Sequence, residues 1–292
     1  MDNYSIKDIE AISGIKAHTI RMWEQRYNFL KPCRTSTNIR YYSCEELKKL
    51  LNVSILNKHG YKISHIECMC LAEMEEKILS LNTANAGHER TMIKLLNEMV
   101  DKNAENFEKI LDKQIAQYGM EKTILEIVYP FLEKTGITWK SCCLGLTEHH
   151  LVTPIIRQKL VVAIDGVVSQ NKTTKSFLLF LPEGEQQELG ILFIYYLLKR
   201  KGMPVIYLGA NVPVNDVAYV SNLKKPGTII THIISKISSS GLQKIINELN
   251  KSLFGPEVFI SISSARDFKR KLPGHFHLKP SLSEIVNQFS LS

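Results

Sequence analysis

The sequence has no long hydrophobic run and no sorting segment where it begins. Its longest apolar stretch, residues 191–198, is far too short to cross a bilayer, which takes about 20 apolar residues in a helix. The residues after Met1 lack the basic region and the following apolar region of a secretory signal peptide. We therefore predict a cytoplasmic protein without a membrane partner.

Cysteine is scarce, and its spacing argues against the common zinc sites. The six cysteines include no CxxC pair. The C-x-C pair at Cys68 and Cys70 and the adjacent Cys142 and Cys143 are poorly placed to surround one ion tetrahedrally. We expect reduced thiols that serve mainly in packing, and we predict no metal centre from them.

The size and charge of the chain narrow the class of partner. A chain of 292 residues exceeds what one hydrophobic core usually organises, so two or three domains are expected. The formal net charge is +8 and the isoelectric point is near 9.0. An acidic partner such as nucleic acid is therefore favoured, and the position of the charge becomes the next question.

The first 27 residues have the pattern of two short helices joined by a turn. Ser5 is a suitable N-cap for the first helix, and Gly14 is a suitable end to it. In the second helix, Ile20 and Trp23 share one face while Arg21 lies on another. This is the plan of a helix-turn-helix, whose second helix contacts bases. A generic helical hairpin is the alternative.

The segment after the second helix is typical of a small hairpin. Pro32 interrupts helix formation, and the turn at 35–38 precedes a short extended stretch at 39–42. Residues 16–40 hold six basic residues against one acid, a net charge of +5, which accounts for much of the excess of the chain. The hairpin would carry Arg34 and Arg40 beside the second helix.

Four stretches together resemble the winged-helix DNA-binding domain of the MerR family over residues 4–76: HTIRMWEQRY at 18–27, NIRYYS at 38–43, EEL at 45–47 and GYKISHI at 60–66. The resemblance implies that the second helix enters the major groove and that the hairpin, the wing, grips the flanking backbone of duplex DNA. The residues implied in DNA contact are Lys16, His18, Thr19, Arg21, Arg26, Tyr27, Arg34, Arg40 and Tyr42.

The middle of the chain is predicted to be a four-helix bundle. Apolar residues recur at helical spacing from Ile124 to Leu132. Adjacent histidines on a helix do not converge on one ion, so structural roles are the default for His149 and His150. Residues 139–157 also resemble the helical cap over the corrin ring in cobalamin-binding MerR-type regulators, with Trp139 and Arg157 in register. The resemblance implies that Trp139 and His150 lie over the upper face of the cofactor, with His149 in place of a glutamate of the family.

The last third alternates short apolar strands with helices, which predicts a doubly wound parallel sheet with ligands at the carboxyl ends of its strands. The loop containing Glu185, Gln187 and Gly190 resembles the E-x-H-x-x-G loop of cobalamin-binding domains. Ser235 fits the small-residue site after the third strand, and Ser263 lies where the family has paired glycines. In the family the histidine ligates cobalt from below after displacing the nucleotide base. Here that lower ligand is replaced by Gln187, whose carboxamide is a poor cobalt ligand.

The predicted fold is therefore multidomain α and α/β. Its parts are a winged helix-turn-helix at 1–76, a linker at 77–87, a cap-like helical bundle at 88–169, a linker at 170–175 and a Rossmann-like cobalamin-binding-like domain at 176–292.

The predicted function is that of a sequence-specific transcriptional repressor acting as a homodimer or homotetramer. It is not an enzyme, and adenosylcobalamin is the cofactor that the resemblance implies. The cobalamin-dependent members of the MerR family are light-responsive and change oligomeric state when the cofactor is photolysed. One alternative is a cobalamin-independent regulator whose C-terminal domains dimerise or bind another ligand. A corrinoid carrier for methyl transfer is a weaker alternative, because it would have no winged helix and would need the missing lower ligand.

Overall fold

The computed structural model describes residues 4–27, 30–81, 86–135, 146–168, 175–235, 237–262, 265 and 268–290. The chain divides into two compact units, Met1–Ile137 with Ser141–Ile155 and Thr138–Lys140 with Ile156–Ser292. The first unit holds both the predicted DNA-binding domain and most of the predicted helical bundle. The prediction of a separate domain ending at residue 76 therefore differs from this division.

The first part of the first unit is helical with one small hairpin. Its elements are α1 (Ile6–Ser13), α2 (Ala17–Arg26), β1 (Cys33–Arg34), β2 (Arg40–Tyr41), α3 (Cys44–Lys58), α4 (Ile63–Ile66) and α5 (Leu71–Ser80). The helix α1 begins at a capping box of Ser5 and Asp8 and ends at Gly14, whose φ of 76° is left-handed. A second capping box, Ser43 with Glu46, starts α3. The cap at Ser5 and the helix end at Gly14 are where the sequence predicted them.

The rest of the first unit is also helical. It comprises α6 (Ala86–Val100), α7 (Ala104–Tyr118), α8 (Met120–Thr123), a π-helical turn (Ile124–Val128), α9 (Tyr129–Thr135) and the first part of α10 (Leu146–Asp165). The predicted apolar face from Ile124 to Leu132 is confirmed, since its residues Ile124, Ile127, Val128, Phe131 and Leu132 are at most 3% exposed. The π-helical turn within this stretch was not predicted.

The predicted linker at 77–87 includes helical residues at both ends. Residues 77–80 complete α5, and residues 86–87 begin α6, while 82–85 lie outside the described residues. Contacts from α3 explain why the segments on either side form one unit. His59 Nε2 lies 2.8 Å from Glu89 Oε2 of α6, and Lys58 contacts the other oxygen of the same carboxylate. Small polar residues signalled a break in the helix, but tertiary contacts keep the two sides together.

The second unit is built on a five-stranded parallel sheet of order β4-β3-β5-β6-β7. Its strands are β3 (Phe177–Phe180), β4 (Val205–Tyr207), β5 (Thr228–Ile233), β6 (Glu257–Ile262) and β7 (Phe276–Lys279), and its helices are α11 (Leu189–Arg200), α12 (Val214–Lys224), α13 (Ser239–Ser252) and α14 (Leu282–Ser290). The predicted doubly wound fold is confirmed. The edge strand β7 was missed because it is short and three of its four residues are only half buried.

Two apolar clusters cover the two faces of this sheet. One contains Leu178 and Ile246 with other residues of α12 and α13, and the other contains Leu179 and Ile194 with residues of α11 and α14. The strand order reverses between β3 and β5, which is the topological switch point of the sheet. In open α/β sheets, ligands bind at the carboxyl ends of the strands at such a point.

None of the helices within the described ranges is both long enough and apolar enough to cross a membrane.

The close packing of Gly190 provides a test of the second unit. A Cβ at this position would lie 2.4 Å from Leu282 Cδ1 and 3.2 Å from His232 Cδ2. Both neighbours are buried, so Gly190→Ala should lower the free energy of unfolding by about 1–3 kcal/mol through overpacking. Urea unfolding followed by circular dichroism measures the change.

Gly227→Ala is the matched control for this substitution. Its added Cβ would meet the nearest atom, Lys175 Cβ, at an ordinary 3.6 Å. Equal stability losses in the two variants would contradict the packing described for Gly190.

Candidate DNA interface and ligand site

The turn between α1 and α2 is closed by a carboxylate. Glu10 Oε2 accepts a hydrogen bond of 3.3 Å from the Ala17 backbone N–H, and Glu10 Oε1 lies 3.2 Å from Lys16 Nζ. The hydrogen bond from Lys16 and that from Ala17 hold the pKa of the Glu10 carboxyl below its usual value. The first turn of α2 is thereby tied to α1, while the Lys16 side chain stays 71% exposed.

The helix α2 has one buried face and one exposed face. Ile20 and Trp23 are 0% and 8% exposed. Arg21, Gln25 and Arg26 are exposed on the remaining surface. The two faces are those that the sequence spacing predicted.

A buried carboxylate joins α2 to the hairpin. Glu24 Oε2 lies 2.9 Å from Arg40 Nε, and the Tyr42 hydroxyl donates a hydrogen bond to Glu24 Oε1. We call these three residues the Glu24 clamp. The Glu24 side chain is only 7% exposed, and burial together with the hydrogen bond to Glu24 raises the pKa of Tyr42. Because Tyr42 also pairs with Tyr4 through two backbone hydrogen bonds of 2.9 Å, the clamp fixes the hairpin against α2.

The hairpin itself is ordered by local hydrogen bonds. The Arg34 Nη1 donates to Asn38 Oδ1 at 2.6 Å, and the Thr35 backbone N–H donates to the Ile39 carbonyl at 2.9 Å. Asn38 has a φ of 65°, a left-handed conformation that asparagine tolerates in turns. Arg34 is exposed on this turn, so a short, braced loop presents its cation to solvent.

The residues implied in DNA contact fall into three groups of exposure. Five are exposed: Lys16, His18, Arg21, Arg26 and Arg34. Thr19, Tyr27 and Arg40 are half buried, and Tyr42 is 0% exposed. Tyr42 is therefore corrected from a surface contact to an internal support, because its hydroxyl is engaged by Glu24 below the surface. Glu24 had no predicted role, and its position one helical residue after Trp23 gave no signal of one.

The second unit brings Glu185 and Ser235 together at the switch point. Glu185 follows β3 and is 4% exposed, and its Oε1 accepts a hydrogen bond of 2.7 Å from the backbone N–H of Ser235, which follows β5. The backbone of the same loop is tied to the segment after β4, because Asn211 N–H donates to the Glu185 carbonyl at 3.0 Å. Asn211 Oδ1 in turn accepts from Gly184 N–H at 2.9 Å. Three strand ends thus share one bonded loop system.

Glu188, the residue after Gln187, is anchored by two side chains. The Tyr207 hydroxyl donates to Glu188 Oε1 at 2.9 Å, and Arg157 Nε lies 2.7 Å from Glu188 Oε2. Burial and the hydrogen bond to Glu188 raise the pKa of Tyr207, and the hydrogen bond that Arg157 donates to Glu188 raises the pKa of Arg157. Gln187 is half buried between the anchored residues Glu185 and Glu188. The role of Glu188 was missed, because the loop pattern drew attention to 185, 187 and 190 alone.

The remaining residues implied in cofactor binding are less defined. Trp139, Ser263 and the His149 side chain lie outside the described residues, and His150 is exposed in the first unit. Gly190 is buried at the start of α11, against Leu282 and His232. No group of three or more histidine, cysteine, aspartate or glutamate side chains within the described ranges could hold a metal ion.

Comparison with known proteins shows which proteins this chain resembles. Residues 4–73 match the family described as MerR HTH family regulatory protein. The chain is 27% identical over 220 residues to the HTH-type transcriptional repressor CarA of Myxococcus xanthus, covering 71% of this chain and 68% of that protein. It is 24% identical over 270 residues to the HTH-type transcriptional repressor CarH of the same organism, covering 90% of each. The chain is thus homologous to both repressors over most of its length.

A solved structure shares part of this fold. The monomethylamine corrinoid protein of Methanosarcina barkeri superposes with a TM-score of 0.51 at 13% identity, covering 67% of this chain and 95% of that one. At this identity the likeness concerns the fold alone.

The Glu24 clamp predicts a local loss of order when its carboxylate is removed. Glu24→Ala leaves the buried Tyr42 hydroxyl and the half-buried Arg40 without this partner, at an expected cost of about 2–4 kcal/mol. Hydrogen exchange should accelerate at the hairpin amides, including Thr35 N–H. The control is Glu76→Ala on the exposed face of α5. Unchanged exchange at residues 33–42 in Glu24→Ala would refute the clamp.

Proposed function

We propose that this chain, whose residues 4–73 form a MerR-type helix-turn-helix domain, is a sequence-specific DNA-binding repressor of transcription with a corrinoid-sensing second unit. The observation that carries the proposal is the fixed relation between α2 and the hairpin. A basic helix face and a basic loop are braced by one buried carboxylate, so both are ordered before DNA arrives. Homology to two HTH-type transcriptional repressors supports the same function.

The exposed cations divide into two proposed roles. Arg21 lies on the exposed face of α2, where a guanidinium can donate two hydrogen bonds to one guanine in the major groove. Lys16 and Arg34 lie at the edges of this surface, on the turn and the hairpin, and suit phosphate contacts. His18, Thr19, Arg26 and Tyr27 complete the proposed interface. Phosphate contacts would make binding salt-dependent, and base contacts would make it selective.

The second unit supports a sensor role through its switch point. Buried Glu185 meets half-buried Ser235 there, in a loop that resembles that of cobalamin-binding domains, and a corrinoid protein shares the fold. The proposed cofactor is adenosylcobalamin. One position does not fit, because Gln187 offers an amide where the family has an imidazole, and amide oxygens suit magnesium or calcium better than cobalt.

Regulation rather than catalysis is the proposed outcome of ligand binding. A corrinoid carrier for methyl transfer would use the second unit alone, whereas this chain also carries a helix-turn-helix domain. A homodimer or homotetramer is proposed as the active form, because helix-turn-helix proteins commonly bind two half-sites through their own symmetry.

Arg21 and Arg34 should differ in how their loss affects DNA binding. Arg21→Ala should weaken binding to a fragment recovered by genomic footprinting by about 1–3 kcal/mol and relax its selectivity, while Arg34→Ala should weaken all sequences alike and reduce the salt slope by about 1. Fluorescence anisotropy across a salt series measures both effects. Lys109→Ala, an exposed change on α7, is the control.

Selectivity is measured against a fragment of the same composition in scrambled order. If Arg21→Ala loses equal affinity for the footprinted and the scrambled fragment, a base contact is contradicted. Salt-insensitive binding by the unmodified chain would contradict the DNA interface as a whole.

Corrinoid binding should depend on Glu185 and not on its exposed neighbour Glu183. The full chain mixed with adenosylcobalamin in the dark should co-elute with corrin absorbance in gel filtration. Glu185→Ala removes the acceptor for Ser235 N–H and should weaken binding about tenfold, equivalent to about 1.4 kcal/mol. Glu183→Ala, at an exposed position of the same loop, should bind normally. Absence of co-elution would instead favour a cobalamin-independent regulator.

A further inference from the structure

The loop at the switch point is held in place on both sides of residue 187. Glu185 accepts from Ser235 N–H at 2.7 Å, and Glu188 is bonded to Tyr207 and Arg157 at 2.9 and 2.7 Å. The loop therefore presents residue 187 at a defined position. The group presented there is a carboxamide, which is a weak ligand for cobalt.

None of the three histidines of the second unit offers a substitute ligand at this position. His232 is 1% exposed and lies below Gly190, in the interior between β5 and α11. His277 Nε2 lies 2.6 Å from Glu257 Oε2, at the residue that begins β6, and His275 precedes β7. Those two belong to the opposite end of the strands, and His232, near the carboxyl end of β5, is covered. The described residues of the second unit therefore present no exposed imidazole at the carboxyl ends.

The interior beside Gly190 is closely packed. A Cβ on Gly190 would approach Leu282 Cδ1 to 2.4 Å and His232 Cδ2 to 3.2 Å. His232 is paired in register with Ser261 of β6, which is 0% exposed. A nucleotide base displaced from cobalt would need a cavity to enter, and this part of the interior has no room for one added methyl group.

We infer that the second unit binds a corrinoid without giving its cobalt a lower ligand, so that bound cobalamin keeps its own nucleotide base. This inference rests on the corrinoid binding put forward under the proposed function. It specifies the coordination state of the bound cofactor, which the fold alone leaves open.

The experiment compares two corrinoids on the full chain. Cob(II)alamin carries a nucleotide base, and cob(II)inamide has none, so any nitrogen splitting of the cob(II)inamide electron paramagnetic resonance signal must come from the protein. With the unmodified chain we expect axial nitrogen splitting for cob(II)alamin and none for cob(II)inamide. The dissociation constants of the two should agree within about tenfold, because the inference leaves the nucleotide base on the cobalt and not in a pocket of the protein.

Gln187→His supplies the missing imidazole beside Glu185 and should introduce nitrogen splitting with cob(II)inamide. The matched control is Gln186→His, which adds the same side chain one residue earlier at an exposed position and should leave the signal unsplit. Circular dichroism spectra of both variants verify that they fold.

Each other outcome counts against the inference. Nitrogen splitting from the unmodified chain with cob(II)inamide would identify a protein ligand and overturn it, while corrinoid sensing would stand. Unsplit cob(II)alamin, or binding of cob(II)alamin without any binding of cob(II)inamide, would overturn the retained base. Failure to bind either corrinoid would overturn both the inference and the corrinoid part of the proposed function, without affecting the DNA-binding part.

Discussion

The position of the hairpin relative to α2 depends on the carboxylate of Glu24, which is nearly removed from water. A buried charge is costly unless it is paired and hydrogen-bonded, and here Arg40 and Tyr42 satisfy its two oxygens. Both partners come from the end of the hairpin, so the helix and hairpin cannot separate without exposing or orphaning these groups. Order at the proposed DNA-binding surface therefore comes from a contact behind it. The exposed cations of this surface add charge to a helix and a hairpin that are already fixed in position.

A similar arrangement governs the second unit. Glu185 is buried and receives the backbone N–H of Ser235, which joins the loop after β3 to the segment after β5. The strand order of the sheet reverses between these two strands, so the contact lies where a doubly wound sheet opens for ligands. In both units a single buried carboxylate joins elements that are distant in sequence. Neither carboxylate could be distinguished from a surface acid by composition.

Local signals in the sequence predicted elements well and long-range contacts poorly. Ser5 and Gly14 marked helix boundaries because capping chemistry is local, and apolar strand runs marked the central sheet. Tyr42 was assigned to the surface because the pattern of a wing contains no information on burial. The sequence predicts a linker at 77–87 because the contacts of Lys58 and His59 with Glu89 cross about 30 residues and leave no local signal. Strand β7 was missed because an edge strand needs fewer apolar residues.

The substitution at residue 187 can be understood from the same contacts. The hydrogen bonds that close this loop involve Pro182, Gly184, Glu185, Asn211 and Ser235, and Glu188 fixes its far side. These bonds are made by residues other than 187, and they hold the loop on both sides of that position. A chain can therefore retain the framework of a cobalt-binding loop and present an amide in place of an imidazole.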